Sequence, residues 1–160
     1  MSNGDYRAVA ARIAQELAAL EAVAARVGGA WAAATLASDD YHVDAAALNL
    51  HGFYAGLERV FLVVAERIDR SVPSGANWHQ ELLRQMTAEL PDVRPAVISD
   101  ETALALDRYR GFRHVVRNVY AYVLDARRVG ALVADLPPTL ARLHAELTHF
   151  AESLDAIARG

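Results

Sequence analysis

A predicted helix in the third quarter of the chain gathers side chains that bind phosphate and transfer protons. At about 100° per residue, four of its polar side chains fall within an arc of roughly 80°. These are Arg110, Arg113, Arg117 and Tyr120, here called the arginine face. His114 and Asn118 lie one helical turn apart beside that arc, while apolar residues occupy the opposite side.

Guanidinium groups remain charged at any physiological pH and hold phosphate through two parallel hydrogen bonds. An imidazole beside them can transfer protons near neutral pH. The arginine face therefore predicts binding, and cleavage, of a phosphodiester. The alternative is a solvated helix face whose arginines pair with acids on neighbouring helices. Like charges at this spacing repel, so the cluster costs stability unless an anion lies against it.

Apolar residues recur every three or four positions along the whole chain, as in amphipathic helices. The spacing predicts helices over residues 5–36, 43–68 and 77–90, and through 109–123 and 143–157. Ser-Asp-Asp at 38–40 and Ser-Asp-Glu at 99–101 predict N-caps with acidic first turns. Gly28 and Gly29 are expected to kink or end the first helix, and a shorter piece beginning at Asp125 is expected to end before Pro137. With no strand pattern, the sequence predicts an all-α antiparallel up-and-down bundle of four to six helices in one domain spanning residues 1–160.

Composition excludes several classes of protein. The 160 residues are 54% hydrophobic and carry a formal charge of -4, which suits a folded core and excludes a globally basic nucleic-acid binder. The absence of cysteine excludes disulfides, zinc ribbons and thiol chemistry. No leader pattern and no uncharged run of about 18 apolar residues is visible, so we expect a cytoplasmic protein without a membrane span.

Metal-binding patterns are sparse. Glu146 and His149 match the Glu-x-x-His spacing of di-iron bundles once, and Asp39 with His42 is a poor second match. His51 and His79 are interpreted as half-buried histidines with hydrogen-bond partners rather than ligands. The sequence therefore predicts no metal and no cofactor.

Three segments resemble the HepT-like toxin subunits of the HEPN superfamily, which are encoded beside a small MNT-type nucleotidyltransferase. They are LNLHGFYAGLER at 48–59, NWHQELL at 77–83 and YRGFRHVVRNVY at 109–120. The third overlies the superfamily signature, in which four to six residues separate an Arg from a His. A polar residue commonly follows the Arg, and a Tyr stands two positions after the His. The resemblance implies an all-α dimer and a metal-independent ribonuclease, with Arg and His of both subunits meeting in an interface cleft. It also implies silencing by the nucleotidyltransferase, through complex formation or addition of AMP to the signature Tyr.

When the signature is aligned with this sequence, Arg113 matches its Arg and Tyr120 matches its Tyr. Tyr120 is therefore the candidate for AMP addition. Asn118 stands at the signature His, and His114 occupies the polar position after the Arg. Asn cannot take up a proton at neutral pH, and His114 lies about 6 Å away along the helix axis.

The resemblance thus implies a toxin that cleaves RNA, with tRNA among the candidate substrates. His114 would serve as general base or acid and Asn118 would orient the phosphate or the imidazole. Arg110, Arg113 and Arg117 would hold the phosphate, and Tyr120 would line the cleft. The alternative is a non-catalytic partner subunit that binds a nucleotide or the nucleotidyltransferase.

Overall fold

The computed structural model describes residues 2–117 and 124–160, and those residues form helices and connecting loops without a named strand. The helices are α1 (Asn3–Ala37), α2 (Asp40–Val64), α3 (Trp78–Thr87), α4 (Asp100–Arg117) and α5 (Ala126–Ile157), with a π-helical turn (Ala65–Asp69) extending α2. The predicted all-α helical bundle is confirmed.

Helices α1 and α2 form a hairpin joined by Ser38 and Asp39 and packed along its length. Ser38 ends α1 in the left-handed conformation, and the Asp39 side chain accepts a hydrogen bond from the His42 backbone N–H at 2.9 Å. This hydrogen bond, with further contributions from the His42 ring, lowers the pKa of Asp39. The N-cap at residues 38–40 is therefore where the sequence predicts it.

The expected end of the first helix at Gly28 and Gly29 is wrong, because α1 continues through both to Ala37. A glycine inside a helix costs about 1 kcal/mol relative to alanine. The neighbouring Val27 is completely buried against the core, and Ala34 is buried a further two turns along. Tertiary packing of this face outweighs the intrinsic preference of two glycines to leave the helix.

The expected end of a helix before Pro137 is also wrong, since Pro137 and Pro138 both lie inside α5. Buried side chains flank the pair, with Leu136 before it and Thr139 and Leu143 after it, whereas both prolines are exposed. The core contacts on both sides hold the segment helical although two amide donors are missing.

One close approach fixes how α5 lies on α1. A Cβ atom placed on Gly130 would come within 2.6 Å of Cζ2 of Trp31, so only glycine leaves room for that ring. We expect Gly130→Ala to lower the free energy of unfolding by about 1–3 kcal/mol through overpacking, measured by urea denaturation. Gly111→Ala is the matched control, because a Cβ there meets nothing within 4 Å. Equal destabilisation by the two variants would contradict this account.

Helix α1 is also long and apolar enough to cross a bilayer by length and composition alone, with a mean hydropathy of 1.2 over its best window. Four of its large apolar side chains, Ile13, Leu17, Leu20 and Val27, are buried in the bundle core, whereas Leu36 near its end is exposed. A helix of a bundle core passes the same test, so the absence of a membrane span stays a prediction.

A buried ion pair fastens α3 and its following loop to the end of α2. The Arg94 guanidinium donates to both carboxylate oxygens of Asp69, at 2.6 and 2.7 Å, and both side chains are at most 1% exposed. Arg94 also donates to the backbone carbonyls of Gln85 and Ala88 at the end of α3. A helix of ten residues is not stable alone, so these bonds hold α3 in place.

Candidate functional site

The beginning of α3 and the second half of α4 enclose a pocket of about 450 Å³. Its lining is mostly polar and cationic: Ala76, Asn77, His79, Gln80, Arg110, Arg113 and His114. Helix α3 begins at this pocket, so the partial positive charge of its N-terminus adds to that of the two guanidiniums. The pocket therefore has the size and the donor groups to take a phosphate-containing ligand.

Three side chains from three helices meet at the base of the pocket. Nη1 of Arg113 on α4 donates to Oε1 of Glu58 on α2 at 2.8 Å. Nδ1 of His79 on α3 lies 2.5 Å from the other oxygen of the same carboxylate. The Arg113 Nη1 atom is 2.9 Å from His79 Nδ1 and 3.3 Å from His79 Nε2. We call Glu58, His79 and Arg113 the central cluster.

Glu58 is the buried anchor of the central cluster, with only 6% of its side chain exposed. A buried carboxylate needs charged and hydrogen-bonding partners, and Arg113 and His79 supply them. One turn earlier on α2, burial and the nearby Glu58 charge raise the pKa of Tyr54 well above its usual value. The Tyr54 phenol therefore stays neutral, and Glu58 carries the negative charge beneath the pocket.

The second arginine of the pocket is paired locally. Nε of Arg110 donates to Oδ1 of Asp107, one turn earlier on α4, at 2.6 Å. Carboxylates of the protein thus balance both Arg110 and Arg113, as the alternative interpretation of the arginine face expects. Both arginines nevertheless line the pocket, and Nε of Arg113 is buried without a hydrogen-bond partner among the described residues. An unmet donor of this kind costs about 1–3 kcal/mol and favours an incoming acceptor.

The structure brings together only part of the predicted site. Arg110, Arg113 and His114 line one pocket, with His114 exposed at its rim. Arg117 is the last residue of α4, and its side chain lies outside the described part of the chain. Asn118 and Tyr120 also lie outside the described residues, so the roles assigned to them stay predictions.

The sequence-based prediction did not place His79 and Glu58 at the candidate site. The interpretation of His79 as half-buried and hydrogen-bonded is correct, since its side chain is 25% exposed and contacts Glu58. A signal was nevertheless present, because Glu58 interrupts the apolar face of α2 between the buried residues Leu57 and Phe61. A carboxylate at such a position requires a cationic partner from another element.

The two pairs with metal-ligand spacing, Glu146 with His149 and Asp39 with His42, contain residues that form local hydrogen bonds. Glu146 accepts hydrogen bonds from the Ser99 hydroxyl at 2.6 Å and the Ser99 backbone N–H at 3.2 Å, which holds the start of α4 on α5. Nδ1 of His42 contacts Asp39, its own N-cap residue. Within residues 2–117 and 124–160, no group of three or more His, Asp or Glu side chains is placed to hold a metal ion.

The chain matches the model of a known protein family. Residues 45–154, more than half of the chain, match the family model described as HepT-like protein. The chain belongs to the HepT-like family of the HEPN superfamily, and is therefore a toxin-like protein of HEPN type. The matched region contains Glu58, His79 and Arg113. No curated protein and no solved structure matches the chain.

Proposed function

We propose that this protein is a HepT-like toxin that cleaves RNA without a metal ion and is neutralised by a cognate MNT-type nucleotidyltransferase. The single observation that carries the proposal is the pocket in which two arginines and two histidines from α3 and α4 converge. Guanidinium and imidazole groups are the side chains that bind a phosphodiester and transfer its protons at neutral pH. Family membership supports the same function.

In this proposal the 2′-hydroxyl of a ribose attacks the adjacent phosphorus atom. Arg110, Arg113 and Arg117 hold the phosphate and stabilise the charge that develops on its oxygens. His114 transfers a proton at the reacting centre, Asn118 orients the phosphate, and Tyr120 lines the cleft and accepts AMP from the partner enzyme. Two copies form the cleft, and the single-domain protein acts in the cytoplasm.

The activity is tested with purified protein, tRNA and total RNA in the presence of EDTA. We expect cleavage that EDTA does not inhibit and that fails on a substrate with 2′-deoxy sugars, because the attacking hydroxyl is then missing. His114→Ala should lower the rate by about 10²–10⁴-fold, the usual contribution of a proton-transferring side chain.

His149→Ala is the matched control, since His149 is exposed on α5 and does not line the pocket. Equal cleavage by wild type, His114→Ala and a preparation without this protein would refute the enzymatic proposal.

The second candidate function is a non-catalytic subunit that binds a nucleotide or the nucleotidyltransferase. Two observations favour it: Asn118 replaces the signature His, and carboxylates already pair with Arg110 and Arg113. Co-purification with the nucleotidyltransferase, together with absence of ribonuclease activity after the two are separated, is the result expected of this candidate.

A further inference from the structure

We propose that His79, positioned by Glu58, is the general base of the RNA cleavage. This inference rests on the proposed function and adds a residue from α3 to a site that sequence reasoning confined to α4. It also answers a chemical problem, because Asn118 stands where the family signature has its His and cannot accept a proton.

The contact with Glu58 sets the tautomer of His79. An ionised carboxylate only accepts hydrogen bonds, so the 2.5 Å contact places a proton on Nδ1 of the imidazole. The neutral ring then carries its lone pair on Nε2 and can take up a proton there. A buried carboxylate on one ring nitrogen with an available base on the other is the arrangement that activates nucleophiles in hydrolytic triads.

The ring is held in position from two further sides. The indole of Trp78 stacks on it, with ring centroids 3.6 Å apart. Arg113 donates to the second oxygen of the Glu58 carboxylate and so holds that carboxylate in place. The carboxylate in turn holds the His79 ring. A base held by packing and by partner hydrogen bonds needs little reorganisation during reaction.

Arg113 places the phosphate close to this base. Its Nη1 atom is 2.9 Å from Nδ1 and 3.3 Å from Nε2 of His79, so a phosphate that binds the guanidinium lies beside the imidazole. Phosphate oxygens compete with the ring for the Arg113 N–H groups, so a bound phosphate leaves the Nε2 lone pair for the 2′-hydroxyl. A general base must come within about 3 Å of the proton that it removes.

The chemical step then balances without a co-reactant. Nε2 of His79 takes the proton of the 2′-hydroxyl as O2′ forms a bond to phosphorus and the P–O5′ bond breaks. A protonated His114 gives its proton to the departing O5′ atom. The products are a 2′,3′-cyclic phosphate and a 5′-hydroxyl, with His79 protonated and His114 neutral.

Several charged and titratable groups face or surround His79. Glu58 approaches from α2, and Arg110, Arg113 and His114 approach from α4. Tyr54 lies beside the network as a neutral phenol, because burial raises its pKa.

The first test compares His79→Asn with His144→Asn in steady-state RNA cleavage across pH. His144 is the matched control, since it forms a histidine–carboxylate pair with Glu21 at 2.6 Å outside the pocket. We expect His79→Asn to lower kcat by about 10²–10⁴-fold and to abolish the rise of the rate with pH, with KM unchanged. His144→Asn should match wild type. In His79→Ala, added imidazole should restore part of the rate, which identifies a lost base rather than a misfolded site.

The second test addresses the positioning residue. Glu58→Gln keeps the shape of the side chain, but its amide group can donate to Nδ1 of His79 as well as accept from it, so the proton is no longer fixed on Nδ1. We therefore expect a lower kcat with KM unchanged, and partial recovery of kcat in Glu58→Asp. Glu21→Gln is the matched control and should keep the wild-type kcat and KM. A wild-type kcat in Glu58→Gln would contradict the positioning role.

Failure of this inference is distinct from failure of the proposed function. If wild-type protein cleaves RNA and His79→Asn cleaves it at the same rate, His79 is not the base although the ribonuclease proposal stands. If wild-type protein does not cleave RNA under any condition, the ribonuclease proposal fails and the inference fails with it.

Discussion

Replacing Arg113 by lysine is expected to lower the rate of RNA cleavage by about 10²–10³-fold, the loss typical of removing one donor to a developing oxyanion. Lysine keeps a positive charge opposite the buried Glu58, so the fold should survive. It cannot, however, present two parallel N–H groups to a phosphate. Single-turnover cleavage of a defined RNA would measure the effect on the chemical step directly.

The matched control is Arg12→Lys, since Arg12 forms an ion pair with Glu16 on the surface of α1, away from the pocket. Arg12→Lys should cleave RNA at the wild-type rate. Wild-type cleavage by Arg113→Lys with an unchanged melting temperature would remove the arginine from the chemistry and would limit its role to neutralising Glu58.

Replacing Arg94 by methionine is expected to lower the free energy of unfolding by about 3–5 kcal/mol, because it leaves the Asp69 carboxylate buried without its cation. Asp69 is 1% exposed, so water cannot replace the lost partner. Urea denaturation followed by circular dichroism gives the free energy. The double variant Arg94→Met/Asp69→Leu should recover most of the loss, because no charge then remains buried.

Arg70→Met provides the control for this measurement. Arg70 pairs with Asp5, but its side chain is 61% exposed, and surface pairs of this kind contribute little to stability. A loss of stability in Arg70→Met equal to that in Arg94→Met would show that burial of the pair is not the cause.

The sequence predicts the local features of this fold well. The three-and-four spacing on α2 identifies buried residues such as Leu50, Tyr54 and Phe61, since one helix face must be apolar to enter the core. The N-cap of α4 is likewise a local property. The Ser99 hydroxyl accepts a hydrogen bond from the Thr102 backbone N–H at 3.2 Å, as the Ser-Asp-Glu sequence suggests.

The sequence alone does not predict contacts between side chains that lie far apart in the chain. Arg113 and Glu58 are 55 positions apart, and no local spacing relates an arginine on α4 to a carboxylate on α2 or a histidine on α3. Asp107, a neighbour along the chain, pairs with Arg110, whereas the carboxylate that pairs with Arg113 comes from α2. The family signature singles out Arg113, which lines the pocket, but gives no reason to single out His79.

The two prolines inside α5 interrupt its backbone hydrogen bonding. Because proline has no amide hydrogen, the carbonyls of Val133 and Ala134 lack their usual donors four residues later. The segment before the prolines supports α4, since Leu132 accepts the hydrogen bond of the Tyr109 hydroxyl at 2.8 Å. Its local opening free energy should lie below that of the later turns, where Leu147, Phe150 and Leu154 anchor the core. The wall of the pocket that carries Arg110 and Arg113 therefore packs against the half of α5 that we expect to open first, while the later turns of that helix stay folded.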